Sequence, residues 1–430
     1  MSSYTITSAK RVRGETAVPG DKSISHRAAM IAAIAEGSSE LIHYSPSEDC
    51  RHTLACLRAL GVRMEPAGDQ LLLEGVGRQG LRPPEVVLDA GNSGTTMRLL
   101  SGILAGQPFE SQITGDESLQ RRPMSRIIQP LRLMGANITA RDNNYAPLHI
   151  RGGRLRAITY DLPVASAQVK SCLLLAGLFA EGTTGITEPA PTRDHTEIML
   201  TEFGADAVVN ERTVSVSGQS RLHGRSYRIP GDISSAAFFV AAALMLPDSE
   251  VVVRDVGVNP TRTGFVEVLR RLGASIEYQN ARRQHGEPVA DLIARSSQLK
   301  NGSGWVIGGD LVPGLIDELP LLAVVATRID GGLEICDARE LRVKESDRIR
   351  ATVENLRQMG AQVEEREDGM TVPGPQRLRG APVDSFGDHR LAMAFAIAGL
   401  MAEGETDIGN REAVAVSFPD FFTCLEGLVE

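Results

Sequence analysis

Six apolar stretches recur along the chain, each preceded by a short polar or glycine-containing turn. They are PGDKSISHRAAMIAAIA (19–35), GNSGTTMRLLSGILA (91–105), VASAQVKSCLLLAGLFA (164–180), PGDISSAAFFVAAALM (230–245), GLIDELPLLAVVA (314–326) and FGDHRLAMAFAIAGLMA (386–402). Each reads as a turn running into an apolar helix. A second phrase alternates with the first: a helical Leu, a Gly, a small or branched residue, then an extended segment. It occurs as LRALGVRME (57–65), LRLMGANIT (131–139), LTEFGADAV (200–208), LRRLGASIE (269–277), LRQMGAQVE (356–364) and a truncated LEGLVE (425–430). Its glycines, at 61, 135, 204, 273, 360 and 427, lie roughly 70 residues apart with one longer interval. A glycine there predicts a helix ending in the left-handed conformation, which costs glycine no Cβ clash. Short alternating runs such as QLLLEGV (70–76), LHIRG (148–152), VSVSG (214–218) and MTVPG (370–374) predict strands.

The pattern is a sixfold repeat of strands and two helices per unit, grouped three and three. Pro-Gly pairs at 19–20 and 230–231 mark chain crossings. They divide the chain into one domain of residues 20–229 and a second of 1–19 plus 230–430. At 430 residues, two cores are the expectation on size alone. The longest unit carries extra polar sequence around Tyr278–Gly304, read as a hairpin or surface loop.

Composition narrows the function. Aromatics are only 4% and the formal net charge is -9, a poor match to a general nucleic-acid binder, which needs cationic surface and stacking rings. An anionic small molecule remains possible if cations gather locally. Five cysteines in no metal-ligand spacing fit a reducing compartment. With no apolar leader and no run long enough to span a bilayer, the cytoplasm is the expected location. The basic residues are nearly all arginine; lysine occurs only at 10, 22, 170, 300 and 344. A lysine kept in such a chain points to a place where a compact ammonium is wanted.

The unusual polar residues sit at the openings of the apolar helices: Lys22 and Ser23, Asn92 to Thr96, Ser166 and Gln168, Asp317, and Asp388 to Arg390. Helix starts expose unpaired N–H groups and attract anions. Ordinary capping accounts for Asn92 and Ser166, and equally for Asp317 taken alone. It does not account for Lys22 or Arg390, since cations disfavour a helix start. Ser23 and Arg27 lie four apart on one helical face, so Lys22, Ser23 and Arg27 gather as oxyanion donors. Lys344, Glu345 and Arg348 cluster at the start of a second helix whose buried face is Ile349, Val353 and Leu356. An exposed charged helix start is the plainer alternative for that trio.

Taken together, PGDKSISHR, GNSGTTMR, RRPM (121–124), SAQVKS (166–171), PTRDHTE (191–197), NPTRTG (259–264), IDELP (316–320), RVKESDR (342–348) and GDHRLAM (387–393) resemble the enolpyruvyl-transferase family. Within it they are most similar to the branch that joins phosphoenolpyruvate to shikimate 3-phosphate, over nearly the whole chain and in family order. The resemblance implies an α/β fold of two similar domains, each of three βαβαββ units in an inside-out barrel, closing over substrates held between them. It assigns Lys22 to both substrates. Ser23, Arg27, Ser166, Ala167, Gln168, Arg193, Asp317 and Lys344 would hold shikimate 3-phosphate. Gly94, Arg122, Gln168, Arg348 and Arg390 would hold phosphoenolpyruvate. Asp317 would serve as base, and Glu345, with Lys22, as proton donor. The implied enzyme is a monomer that uses no metal and no organic cofactor.

One departure stands out. Many relatives carry Lys just before a C-terminal S/T-F-P segment, whereas AVSFPDFF (415–422) has Val416 there. Gly94 keeps the small residue expected where glyphosate would share the phosphoenolpyruvate pocket. The sister branch acting on UDP-N-acetylglucosamine is disfavoured, because it has Lys-Asn in the first motif and a Cys before its Arg-Pro. Here the first motif is Lys-Ser, and GDESLQRRP (115–123) holds no Cys. An RNA-processing relative is disfavoured by the net charge of -9 and the scarce aromatics; a non-catalytic repeat scaffold predicts erosion of the charged set, whereas Lys22, Arg122, Asp317, Glu345, Arg348 and Arg390 are all present. The role of Lys170 stays open between substrate binding and carboxylate pairing.

Overall fold

The computed structural model describes residues 3–430. They form two compact units, one of Gly20–Ile229 with Arg283–Glu287, the other of the chain up to Pro19, Pro230–Arg282 and Pro288–Glu430. Each contains three repeats.

Five of the six repeats have a sheet that combines a parallel pair with an antiparallel hairpin. In the first unit the sheets run Ser226–Arg228, Glu36–Ile42, Gln70–Val76, Arg63–Ala67; then Leu88–Asp89, Glu110–Thr114, Tyr145–Arg151, Asn137–Arg141; then Thr159–Asp161, Thr183–Thr187, Thr213–Ser217, Ala207–Asn210. The first two strands of each are parallel and the rest antiparallel. A parallel pair demands a crossover, and the apolar helix supplies it wherever the two strands flank that helix in the chain, as Leu88–Asp89 and Glu110–Thr114 do. Ser226–Arg228, the last strand of the unit, pairs beside Glu36–Ile42 of its first repeat and so closes the ring. The second unit is built alike. There Arg13–Ala17 takes the closing position beside Glu250–Gly257. Ser3–Thr7 pairs antiparallel with Glu405–Gly409, standing where the truncated sixth repeat has no hairpin of its own.

The apolar stretches are the helices at the centre of each unit: Lys22–Ala33, Gly94–Ala105 and Ala167–Gly177 in one, Ile233–Met245, Leu319–Ala326 and His389–Met401 in the other. All thirteen residues of Ile233–Met245 are buried, as expected for a helix apolar all round. Small residues let the helices approach closely. A Cβ on Gly102 would lie 2.2 Å from the carbonyl oxygen of Cys172, so only glycine fits that crossing. The outer helices are amphipathic; Arg348–Gln358 buries the predicted stripe Ile349, Val353 and Leu356.

Five of the six recurring glycines have φ between +84° and +102°. Gly427 differs, with φ −65°. No hairpin strand follows it, and the chain instead bridges Val429 to Val12, so no sharp reversal is needed. The 314–326 stretch also departs from one continuous segment. It breaks into Val312–Leu315 and Leu319–Ala326, with Pro320 in the first turn of the second helix and Asp317 in the break. The extra polar sequence forms a hairpin of Ser275–Gln284 and Glu287–Arg295. His285 and Gly286 at its tip both have positive φ, the geometry of a tight two-residue turn. The tip Arg283–Glu287, which the sequence division gives to the second domain, groups instead with Gly20–Ile229. There Glu287 meets His195 Nδ1 at 2.7 Å, both side chains buried, and the His285 ring stacks on Tyr227.

No described helix is long and apolar enough to cross a membrane. Among the described residues, no three His, Cys, Asp or Glu side chains gather as metal ligands.

Candidate active site

The expected site residues fall into two groups, one in each unit. In Gly20–Ile229, Asp21 caps the first helix by accepting from Ile24 N at 2.9 Å. Capping therefore falls to Asp21, and Lys22 is left to pair with Asp49 at 2.8 Å. One helical turn on, Arg27 is buried and donates to Thr196 Oγ1 at 2.7 Å, the Ser23 carbonyl at 2.8 Å and Ser171 Oγ at 2.8 Å. Arg193 Nη1 reaches Ser23 Oγ at 3.4 Å. The structure thus brings Ser23, Arg27 and Arg193 together on hydroxyl and carbonyl partners. The nearby His26 is buried and donates to or accepts from Thr53, which in turn meets Thr96. Burial, reinforced by Lys22 and Arg27, holds His26 well below the ordinary histidine pKa.

The second and third helices of this unit contribute their first turns. Ser166 caps Ala167–Gly177, while Ser93, not Asn92, caps Gly94–Ala105. The capping explanation for Asn92 therefore fails. Its amide donates to Asp116 at 2.6 Å and its oxygen accepts from Arg122 at 2.6 Å, so it orients a guanidinium. Gln168 accepts from Arg98 at 2.5 Å and donates to Thr95 at 2.9 Å. Arg98 was not foreseen, although its spacing of four from Gly94 puts both on one helical face. A Cβ on Gly94 would stand 2.9 Å from Arg98 Nη1 and 3.7 Å from Arg122 Nη1. A bare backbone and two guanidinia facing one spot can seat an oxyanion.

In the second unit, Asp317 is not a cap; Glu318 holds that position without a side-chain bond. Asp317 Oδ1 lies 3.4 Å from Arg348 Nη1 and 3.9 Å from Lys344 Nζ, and Oδ2 lies 3.8 Å from Arg390 Nη2. Glu345 Oε2 accepts from Arg348 Nη2 at 2.6 Å. One guanidinium therefore joins both carboxylates expected to move protons. Arg348 is 1% exposed and donates from Nε to Asp388 at 2.7 Å. Burial disfavours its charge, but Asp388, Glu345 and Asp317 outweigh that and raise its pKa. Lys344 keeps 26% of its side-chain surface open, yet displacement of water around the ammonium lowers its pKa, with Asp317 and Glu340 opposing. Arg390 also donates to the Asp317 carbonyl at 3.0 Å and to Glu318 at 3.3 Å. Glu318 in turn accepts from Ser234, which takes Arg262 at 2.7 Å. This supporting chain from Arg262 to Arg390 leaves no local signal in the sequence, since its members lie dozens of residues apart. Val416 ends the short helix Arg411–Val416.

Lys170 resolves to carboxylate pairing. It is buried between Glu188 at 2.8 Å and Glu197 at 2.6 Å.

Comparison with known proteins places this geometry in context. A solved structure of an EPSP synthase from Acinetobacter baumannii superposes with a TM-score of 0.88 at 44% identity, covering 100% of this chain and 98% of that one. The enolpyruvyl transferase NikO from Streptomyces tendae shares the fold at a TM-score of 0.78 and 15% identity, over 99% of this chain and 96% of that one. The 3-phosphoshikimate 1-carboxyvinyltransferase of Solibacter usitatus is 52% identical over 425 residues, 99% of each chain. Its namesake in Desulforudis audaxviator is 54% identical over 98% of each. The family model described as EPSP synthase (3-phosphoshikimate 1-carboxyvinyltransferase) matches residues 6–425, and with full-length relatives above 50% identity the chain belongs to the EPSP synthase family.

Proposed function

We propose that the protein transfers the enolpyruvyl group of phosphoenolpyruvate to the 5-hydroxyl of shikimate 3-phosphate, releasing phosphate. The observation that carries the mechanism is the sharing of Arg348 by Asp317 and Glu345, two carboxylates within reach of one guanidinium. Both residue groups serve the one reaction. Lys22, Ser23, Arg27, Ser166, Ala167, Gln168 and Arg193 hold shikimate 3-phosphate, with Asp317 and Lys344. Arg122, Arg348, Arg390, Gln168, Lys22 and the Gly94 backbone grip the phosphate and carboxylate of phosphoenolpyruvate. Guanidinium forks suit both groups.

Anionic substrate groups compete with Asp317 for Arg348 and Arg390, which frees the carboxylate to take a proton. Asp317 removes the proton of the 5-hydroxyl as its oxygen bonds to C2 of phosphoenolpyruvate. The double-bond pair takes a proton at C3 from Glu345, assisted by Lys22, and a tetrahedral ketal results. The C2–O bond to phosphate then breaks while a methyl proton returns to a carboxylate, restoring the double bond. Paired acid and base are what such a sequence needs. The reading is completed by a monomer working in the cytoplasm, with no metal or organic cofactor.

The test is phosphate release from phosphoenolpyruvate with shikimate 3-phosphate, with UDP-N-acetylglucosamine, or with neither, alongside Asp317→Ala. Release that requires shikimate 3-phosphate and is mostly lost in the variant is the expected result. Release only with the nucleotide sugar moves the protein to the sister branch. No release from folded protein with either acceptor overturns the reading.

A further inference from the structure

Lys170 is one of five lysines among 45 basic residues, and its side chain is 1% exposed. Its ammonium meets Glu188 Oε2 at 2.8 Å and Glu197 Oε1 at 2.6 Å, both carboxylates buried. As a stabilising device this is poor. Desolvating such charges costs about what their attraction returns, and apolar side chains of similar volume generally do as well. Burial also pushes the Glu197 carboxyl up against the pull of Lys170. The question is what the pairing holds in place.

Each carboxylate leads to a different substrate-facing arginine. Glu188 accepts a hydrogen bond from Thr192 Oγ1, and Thr192 precedes Arg193 in the loop that carries Arg193 to Ser23. Glu197 lies in the first turn of the helix His195–Glu202, adjoining Thr196, whose Oγ1 accepts from Arg27 Nε at 2.7 Å. Ser171, adjoining Lys170, accepts from Arg27 Nη2 at 2.8 Å and meets Thr196 Oγ1 at 2.6 Å. Lys170 itself lies two residues past Gln168 on the same helix. One buried ammonium therefore ties together the helix of Gln168, the loop of Arg193 and the turn that seats Arg27. A compact ammonium fits, fully buried, between two carboxylates that each approach within 2.8 Å from a different element, where a longer and planar guanidinium would have to push one of them away. That requirement explains a lysine where the chain otherwise uses arginine.

We propose that Lys170 is a positioning residue for shikimate 3-phosphate: by pinning Glu188 and Glu197 it sets Arg193 and Arg27, and it touches no substrate itself. The proposal rests on the function argued above. It predicts a selective effect, because the two arginines it sets, Arg27 and Arg193, both belong to one substrate's side.

The test compares wild type with Lys170→Met, Lys170→Arg and Glu188→Gln, varying each substrate with the other saturating and measuring melting temperature in parallel. Lys170→Met is expected to raise the KM for shikimate 3-phosphate about tenfold or more, with kcat falling less than KM rises. The KM for phosphoenolpyruvate is expected to stay within about twofold. Lys170→Arg should fail to rescue it. If Lys170→Met does not fold, Glu188→Gln, nearly isosteric, carries the test with a smaller rise confined to the same substrate. A lower melting temperature with both KM values unchanged, or both rising together, overturns the proposal and leaves a purely structural ion cluster. Wild-type protein with no release dependent on shikimate 3-phosphate overturns the function itself, and the proposal with it.

Discussion

Replacing Gly94 by alanine separates substrate recognition from stability more cleanly than removing any charge. Gly94 is the first residue of its helix, and its φ lies outside the left-handed region, so alanine meets no backbone strain. On helix propensity alone the change is neutral or adds up to about 1 kcal/mol. Its steric consequence is local. The new methyl would stand 2.9 Å from Arg98 Nη1, closer than real contacts allow, and the guanidinium end must give way. That same nitrogen donates to Gln168 Oε1 at 2.5 Å, so relief comes at the cost of a charge-assisted hydrogen bond. In the free protein that loss falls on stability; with the anion bound, the displaced Arg98 guanidinium gives up a charge-assisted contact of about 1.5–3 kcal/mol, equivalent to roughly one to two orders of magnitude in a binding constant. Gly94→Ala should therefore raise the KM for phosphoenolpyruvate by about 10- to 100-fold, leave the KM for shikimate 3-phosphate much nearer wild type, and lower the melting temperature by no more than a few degrees. Steady-state phosphate release with each substrate varied in turn, together with a thermal melt, measures all three. The glyphosate concentration for half inhibition should rise in parallel if that compound shares this seat. A phosphoenolpyruvate KM within twofold of wild type, in a folded variant, would refute the seat formed by Gly94, Arg98 and Arg122.

Three further outcomes are expected. Glu345→Gln keeps the shape beside Arg348 but cannot deliver a proton, so kcat should fall by about 10²- to 10⁴-fold; solvent deuterium should no longer enter the methylene of phosphoenolpyruvate, and retained exchange would remove Glu345 as the donor. Val416→Lys introduces the cation that the family resemblance leads one to expect there and should lower the phosphoenolpyruvate KM a few-fold, at a partly exposed site where one charge contributes about 1 kcal/mol or less. His26 has a depressed pKa in the folded chain, so the unfolded chain takes up the proton first. Its contribution to stability is full above the ordinary histidine value near 6.5 and declines as pH falls below it. Chemical denaturation of wild type and His26→Gln between pH 7.5 and about 5 should show a shallower pH slope in the variant; equal slopes would exclude this histidine.

What could be read from the sequence follows the range of the interaction that encodes it. The sixfold repeat is written in local terms, as an all-apolar helix after a polar turn and a glycine that must turn left-handed, and five of six glycines do so. Gly427 fails because the rule concerns the reversal into a following strand, and the chain ends before one. Ownership of the hairpin tip was not legible, since it depends on Glu287 finding His195 across 92 residues.

The same distinction runs through the site. Lys22 and Arg390 announce themselves by sitting in helix openings, where a cation is disfavoured. The partners that aim the arginines do not. Asp388 binds Arg348 from 40 residues away, and Thr196 binds Arg27 from 169 away. Asp388 also caps its own helix, a role that fully explains it in sequence and conceals the second one. Lys170 is the converse case. Its residue type was the signal, one ammonium kept among guanidinia, but the signal had two explanations until its carboxylates were located. A residue whose chemistry is odd for its neighbourhood marks a constraint; only the long-range partner tells whether that constraint is on the substrate or on the residues that hold it.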